Sequence, residues 1–240
     1  MSSQEMKNEK LLILAFPSVG LVGAFATSYL VNQLKMKDIG ELEFTKFSPS
    51  YLIKDGKIYG PNRIYKKENT YAILVGFPLN PVLAYDLVVK SIEYAKNNGI
   101  SKIIIPRGLE VGENYNKDPI SYGLSVNKNS DTLFGDYNLP TVPSATILGA
   151  DASIMSALKN SKFPCIVLYT TCRMMMPDDD AIIRSIKTMA DIIKVKVDTE
   201  KFEEELEKIS KENEKLIQQT KKFFENSSGR PASMPQPGVA

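Results

Sequence analysis

The chain has 240 residues, of which 43% are hydrophobic and 24% charged, so it can bury a sizeable core. Its 30 basic and 28 acidic residues leave a net charge of +2, and no basic stripe with interleaved aromatic residues indicates nucleic-acid binding. The sequence has no histidine and only two cysteines, which excludes Ser-His-Asp and Cys-His catalysis and the structural type of zinc site.

The first element is an apolar segment, Leu11–Val31, which is interrupted by Pro17 and Gly20. Continuous apolar runs are typical of parallel strands that are covered on both faces. We therefore predict a strand over Leu11–Phe16, a tight turn, and a helix from about Leu21 to Leu34. Mixed charges before the segment and its early proline argue against a secretory signal. No other segment is long and apolar enough to cross a membrane.

Strands and helices then alternate along the chain. Apolar runs predict further strands, and apolar residues at helical spacing predict the helices between them. An Asp-Gly pair predicts a hairpin within residues 51–59. The other predicted strands are Gly40–Phe47, Tyr71–Phe77, Lys102–Ile105, Ile120–Val126 and Cys165–Thr171. The other predicted helices are Asn80–Asn97, Ser130–Asp136, Asp151–Leu158 and Asp178–Ile193.

The repeated strand–turn–helix pattern favours an α/β fold with a mostly parallel sheet and helices on both faces, plus an antiparallel excursion near residues 40–66. We predict one core domain, a three-layer α/β sandwich, over residues 10–197, after a flexible N-terminus at residues 1–9. Cys165 and Cys172 are expected to be buried, unpaired thiols of a cytoplasmic protein.

From Asp198 to Asn226 the composition changes to charged residues along a narrow apolar seam, which predicts a long C-terminal amphipathic helix. Asn213 falls at an a position of a heptad repeat, where a buried asparagine sets register and partner number in a coiled coil. The helix packs either along its own domain or on equivalent helices of other subunits. The candidate interface residues are Phe202, Leu206, Ile209, Asn213, Leu216 and Phe223. Residues 227–240 are rich in Pro, Gly and Ser, which predicts disorder.

Residues near the strand ends are candidates for a ligand pocket, because open α/β sheets bind ligands there. Pro17, Ser18 and Gly20 either cradle a phosphate at a helix N-terminus or simply form a tightly packed turn. Arg107 either binds a carboxylate or phosphate or forms an ion pair within a loop. Asp178 begins an Asp-Asp-Asp run that either holds Mg²⁺ or caps the following helix. Because these patterns lack the known nucleotide-binding spacings, we predict no catalytic residue, cofactor or resident metal.

Four segments carry a resemblance to a known family. The most specific is the F-P-x-V-G-L-V-G run, and the resemblance extends from about residue 10 to about residue 215. The segments are Ala15–Gly23, Lys102–Gly108, Ile147–Gly149 and Pro177–Ala181. In these segments the chain resembles the proteasome assembly chaperone 2 family.

The resemblance implies a phosphorylase-like α/β sandwich without a known catalytic activity. It also implies homo-oligomers and a chaperone that assists assembly of the 20S proteasome core, with core subunits as partners. The chain departs from the hydrophobic–tyrosine–any tails of many proteasome-binding proteins, since it ends Gly238-Val239-Ala240. The alternative function is a small-molecule or nucleotide-binding enzyme that uses the strand-end pocket.

Overall fold

The structure is a computed structural model that describes residues 9–44, 51–54, 56–111, 118–135, 137–142, 144, 146–174, 177–202, 204, 218 and 222. The strands in these ranges are β1 Leu11–Ala15, β2 Lys37–Glu41, β3 Leu52–Lys54, β4 Lys57–Tyr59, β5 Asn62–Lys67, β6 Thr70–Val75, β7 Lys102–Glu110, β8 Ser121–Ser125 and β9 Cys165–Cys172. The helices are α1 Val22–Gln33, α2 Pro81–Asn97, α3 Lys128–Gly135, α4 Gly149–Ser161 and α5 Asp179–Ile193, with a short 3₁₀ turn at Val19–Leu21 before α1.

Seven of these strands form one mixed sheet in the order β2-β5-β6-β1-β7-β9-β8. The four central strands β6, β1, β7 and β9 are parallel, while β2, β5 and β8 pair antiparallel at the two edges. The predicted α/β fold and its parallel centre are therefore confirmed. The antiparallel edge at residues 37–67 is the predicted excursion, and β8 adds a second antiparallel edge.

Two hydrophobic clusters lie on opposite faces of the sheet, because successive side chains of a strand point to opposite faces. Leu12 and Leu14 of β1 pack in the cluster that α2 and α4 cover. Leu11 and Ile13 pack in the cluster that α1 and α5 cover. This arrangement is the predicted three-layer sandwich, and it gives the molecule two separate places where strand ends meet helices.

Helix α2 shows how local sequence sets an element's start. Pro81 occupies the first turn, where its missing N–H and fixed φ suit a helix. Asn80 precedes it, and its side-chain oxygen accepts a hydrogen bond from the backbone N–H of Leu83 at 2.9 Å. The predicted helix Asn80–Asn97 is accordingly confirmed within one residue.

Two predicted strand boundaries are wrong. The strand predicted at Gly40–Phe47 is β2 at Lys37–Glu41, and residues 45–50 lie outside the described residues. The strand predicted to end at Ile105 continues as β7 to Glu110, because β9 pairs with it along this whole stretch. Pro106 is tolerated inside a strand since the last pair of β1 with β7 is Ile13 with Ile104, so β1 needs no N–H from β7 beyond that point.

The edge strand β2 contains an irregularity. Its register with β5 shifts between Asp38 and Gly40. The Asp38 carboxylate accepts hydrogen bonds from the Gly40 N–H at 3.0 Å and from Arg63 Nε at 3.0 Å. Gly40 has φ +131°, a value that favours glycine. The bulge is therefore held in place by Asp38 of β2 and Arg63 of β5.

Most residues of the predicted C-terminal helix lie outside the described residues. Leu206, Ile209, Asn213, Leu216 and Phe223 are outside the described residues, as are residues 227–240 and 1–8. Within the part of the chain that the structure does describe, no helix has both the length and the apolar character of a membrane span.

Helix α1 approaches β7 closely at Gly23. A Cβ atom added there would lie 2.1 Å from the carbonyl oxygen of Pro106, a backbone atom that cannot move aside cheaply. This glycine therefore sets the distance between α1 and the sheet.

Replacing Gly23 with alanine is expected to destabilise the fold by about 1–3 kcal/mol, because the methyl group overpacks a rigid contact. Gly135→Ala is the matched control, since nothing lies within 4 Å of a Cβ at Gly135. Urea unfolding of both variants measures the difference. Equal stability of the two variants would contradict the close approach.

Candidate functional site

The turn after β1 is packed against β7 and β9. The Ser18 carbonyl accepts the Leu21 N–H at 2.9 Å, and the Ser18 hydroxyl accepts the Gly108 N–H at 3.3 Å. A Cβ at Gly108 would lie 2.1 Å from the Val19 carbonyl oxygen. Gly20 has φ +63°, and a Cβ there would meet Cys172 Sγ at 3.1 Å. Pro17, like Ser18, is buried, so neighbouring protein atoms fill this turn.

Asp178 is also committed to protein contacts. Its carboxylate is fully buried and accepts hydrogen bonds from the Arg173 N–H at 2.6 Å and the Ala181 N–H at 3.3 Å. Its own N–H donates to the Gly20 carbonyl at 3.1 Å, which ties α5 to the turn after β1. Asp178 is thus the N-cap of α5. Among the described residues, no three His, Cys, Asp or Glu side chains lie together as a metal site.

Cys172 lies close to both the turn after β1 and Asp178. Burial, together with the nearby negative charges of Asp178 and Glu110, raises the pKa of its thiol from 9.0 to about 12. Burial likewise raises the pKa of the Cys165 thiol. Both cysteines are free, and their thiols remain protonated at neutral pH, which makes them poor nucleophiles.

Arg107 lies on the other face of the sheet. Its guanidinium carbon is 4.6 Å from the centre of the Phe16 ring, and Phe16 belongs to the cluster under α2 and α4. Its Nη2 forms an ion pair with Asp151 in the first turn of α4. The sheet therefore separates Arg107 from Ser18, Gly20 and Asp178, so the five candidate pocket residues do not form one site.

Sequence reasoning missed Asp151 and Tyr169 as neighbours of Arg107. Tyr169 pairs with Arg107 in the register of β7 and β9, and its buried hydroxyl has no hydrogen-bond partner within the described ranges. Only the strand register, which the sequence does not specify, brings Tyr169 beside Arg107. Asp151 was visible as an acidic residue at a helix start, where it also complements the helix dipole, so nothing marked it as the partner of Arg107.

Phe202 is the one predicted interface residue that the structure describes. Its ring is buried against Tyr29 of α1, with ring centroids 5.3 Å apart in an edge-to-face arrangement. The Tyr29 hydroxyl donates a hydrogen bond to the Asp198 carbonyl. At this residue the chain packs along its own domain, which is one of the two arrangements predicted for the seam.

Asp178→Ala is expected to lower the free energy of unfolding by about 1–2 kcal/mol, because it removes a buried helix cap. Asp180→Ala is the matched control, since Asp180 is an exposed acidic residue in the same turn and should cost about 0.5 kcal/mol. Denaturant unfolding checks both. An unchanged or raised stability of the Asp178 variant would contradict the capping role.

The comparisons with solved structures show the same fold. Pyrococcus furiosus PbaA, described as an archaeal homolog of proteasome-assembly chaperone, is 21% identical with a TM-score of 0.77, covering 90% of this chain and 95% of PbaA. A Thermoplasma acidophilum protein of unknown function is 20% identical with a TM-score of 0.74, covering 94% and 96% of the two chains. P. furiosus PbaB, described as an archaeal proteasome activator, is 17% identical with a TM-score of 0.67, covering 89% and 93%.

No curated protein sequence matches the chain. The family model described as the PAC2 family matches residues 12–217, which cover the sandwich from the second residue of β1 to the end of α5. This chain therefore belongs to the PAC2 family.

Proposed function

We propose that this protein is a non-catalytic, proteasome-assembly-chaperone-like protein that self-associates and binds proteasome core subunits. The observation that carries the proposal is the PAC2 family match over residues 12–217. The likeness in fold to PbaA and PbaB, whose descriptions name a proteasome-assembly chaperone homolog and a proteasome activator, supports the same role.

The local chemistry supports binding rather than catalysis. The side-chain oxygens of Ser18 and Asp178 accept hydrogen bonds from backbone N–H groups, and these contacts hold the fold together. The chain has no histidine, so the commonest general base near neutral pH is missing. The two free, buried cysteines suit a protein that works in the reducing cytoplasm.

The β3–β4 hairpin exposes apolar side chains to solvent. Ile53 and Ile58 face each other across the hairpin and are 73% and 70% exposed, and Tyr51 beside them is 64% exposed. Clustered exposed apolar side chains are typical of surfaces that contact other proteins. This cluster supports a protein-binding role for the chain.

We assign self-association to the seam that follows Phe202. The buried Phe202 ring and the Tyr29–Asp198 hydrogen bond fix the start of the C-terminal segment on α1. From this anchored point the heptad pattern continues through Leu206, Asn213 and Leu216. A segment held at its start is better placed to meet a second copy than a free tail, because less freedom is lost on association.

Binding to the proteasome is tested by co-purification of the tagged full chain with the 20S core α subunits of the same organism. We expect the α subunits to be retained on the tagged chain and not on an unrelated tagged protein. A second tagged chain that ends after Glu204 keeps Phe202 in the core and shows whether the C-terminal segment is needed. Failure of the full chain to retain the subunits would overturn the proposal.

Self-association is tested by light scattering of the full chain and of seam variants. Replacing Leu206 and Leu216 with glutamine is expected to lower the mass, because it removes apolar contacts at the seam. Replacing Lys208 and Lys215 with glutamine is the matched control, since neither lies on the seam. A full chain of monomeric mass, or a seam variant of unchanged mass, would contradict this assignment.

A further inference from the structure

The guanidinium of Arg107 has more donors than partners. The side chain is 5% exposed, and its Nη2 pairs with Asp151. Its Nε and Nη1 have no hydrogen-bond partner among the described residues. An arginine carries five N–H donors in a planar fork, so the pair with Asp151 uses only part of its capacity.

Tyr169 adds a further donor at the same level of the sheet. Arg107 and Tyr169 are direct neighbours in the β7–β9 register, so their side chains lie on the same face. The Tyr169 hydroxyl is buried and has no hydrogen-bond partner among the described residues. Burial raises its pKa, the Asp151 charge raises it further, and the Arg107 charge lowers it, so the hydroxyl keeps its proton at neutral pH.

Buried donors without partners are costly, and a charged donor more so than a neutral one. The Phe16 ring covers one side of the guanidinium, while Asp151 holds its Nη2 end. These contacts fix the position of Arg107 and leave Nε and Nη1 without an acceptor in the described part of the chain. A group that supplies oxygen acceptors would remove the cost.

The cluster lies next to the N-terminus of α4, where Asp151 is its most exposed member. The Asp151 side chain is 25% exposed, although its partner Arg107 is buried. Leu148, which precedes the helix, makes no side-chain cap, so the first N–H groups of α4 are not satisfied by a capping side chain. The helix dipole favours negative charge at this place.

We propose that Arg107 and Tyr169 bind a small oxyanion, either a phosphate or a small carboxylate, on the α2–α4 face of the sheet. Nε and Nη1 of Arg107 and the Tyr169 hydroxyl donate to its oxygens. Asp151 is a positioning residue that holds the guanidinium. Arginine suits this task because its fork matches the geometry of carboxylate and phosphate oxygens. This site is independent of the proposed role in proteasome assembly.

Calorimetric titration of the full chain with inorganic phosphate and with malonate tests the proposal. We expect saturable binding of at least one of the two, and the arm that saturates identifies the oxyanion as phosphate or carboxylate. Tyr169→Phe removes a single hydroxyl and is expected to weaken binding about tenfold. Arg107→Lys keeps the charge but loses the fork and should weaken binding at least as much. Arg184→Gln is the control, since Arg184 is exposed on α5 and its loss should leave the affinity unchanged.

Absence of saturable binding by both probes would overturn the proposal and would indicate that water alone satisfies the donors. Binding that is undiminished in Tyr169→Phe would place the oxyanion elsewhere. If Arg107→Lys does not fold, Tyr169→Phe decides the outcome by itself, because it removes no charge and keeps the ring.

Discussion

Close backbone contact of strand β7 with the turn after β1 and with helix α1 is the constraint on which the rest of the fold depends. At Gly23 and Gly108 there is no room for a side chain beyond hydrogen, since each position faces a carbonyl oxygen of the opposite element. In the same turn, the Gly20 carbonyl accepts a hydrogen bond from the Asp178 N–H. Three elements distant in sequence therefore meet at one point, and the residues that resemble a phosphate cradle serve to join them.

The parallel centre of the fold was predictable because its signals are local. Buried strands carry uninterrupted apolar runs and helices carry apolar residues at their own spacing, so Leu11–Phe16 and Asn80–Asn97 were placed to within a residue or so. Features set by pairing were not predictable. Strand β7 continues through Pro106 only because β9 lies beside it, and β8 is antiparallel for reasons of topology rather than composition.

In the candidate site, too, features with a local sequence signal were predictable and features set by tertiary contacts were not. A buried cap at Asp178 follows from its position before a helix, which the sequence displays directly. The neighbours of Arg107 depend instead on which helix covers which face. Asp151 is 44 positions away along the chain and reaches Arg107 only because α4 packs on this face of the sheet. Likewise, the sequence shows Phe202 only as one member of a regular seam. Its burial against Tyr29 is a result of tertiary packing.

The bulge in β2 has a bearing on how the molecule behaves at high concentration. An edge strand presents unpaired N–H and C=O groups that can recruit a strand from another chain. In β2 the register shift at Gly40, together with the charged Asp38 and Arg63 that brace it, interrupts that regular array. Although Ile39 is 47% exposed there, the irregular edge is a poor template for fibrous stacking, so any ordered association between copies is directed to other surfaces.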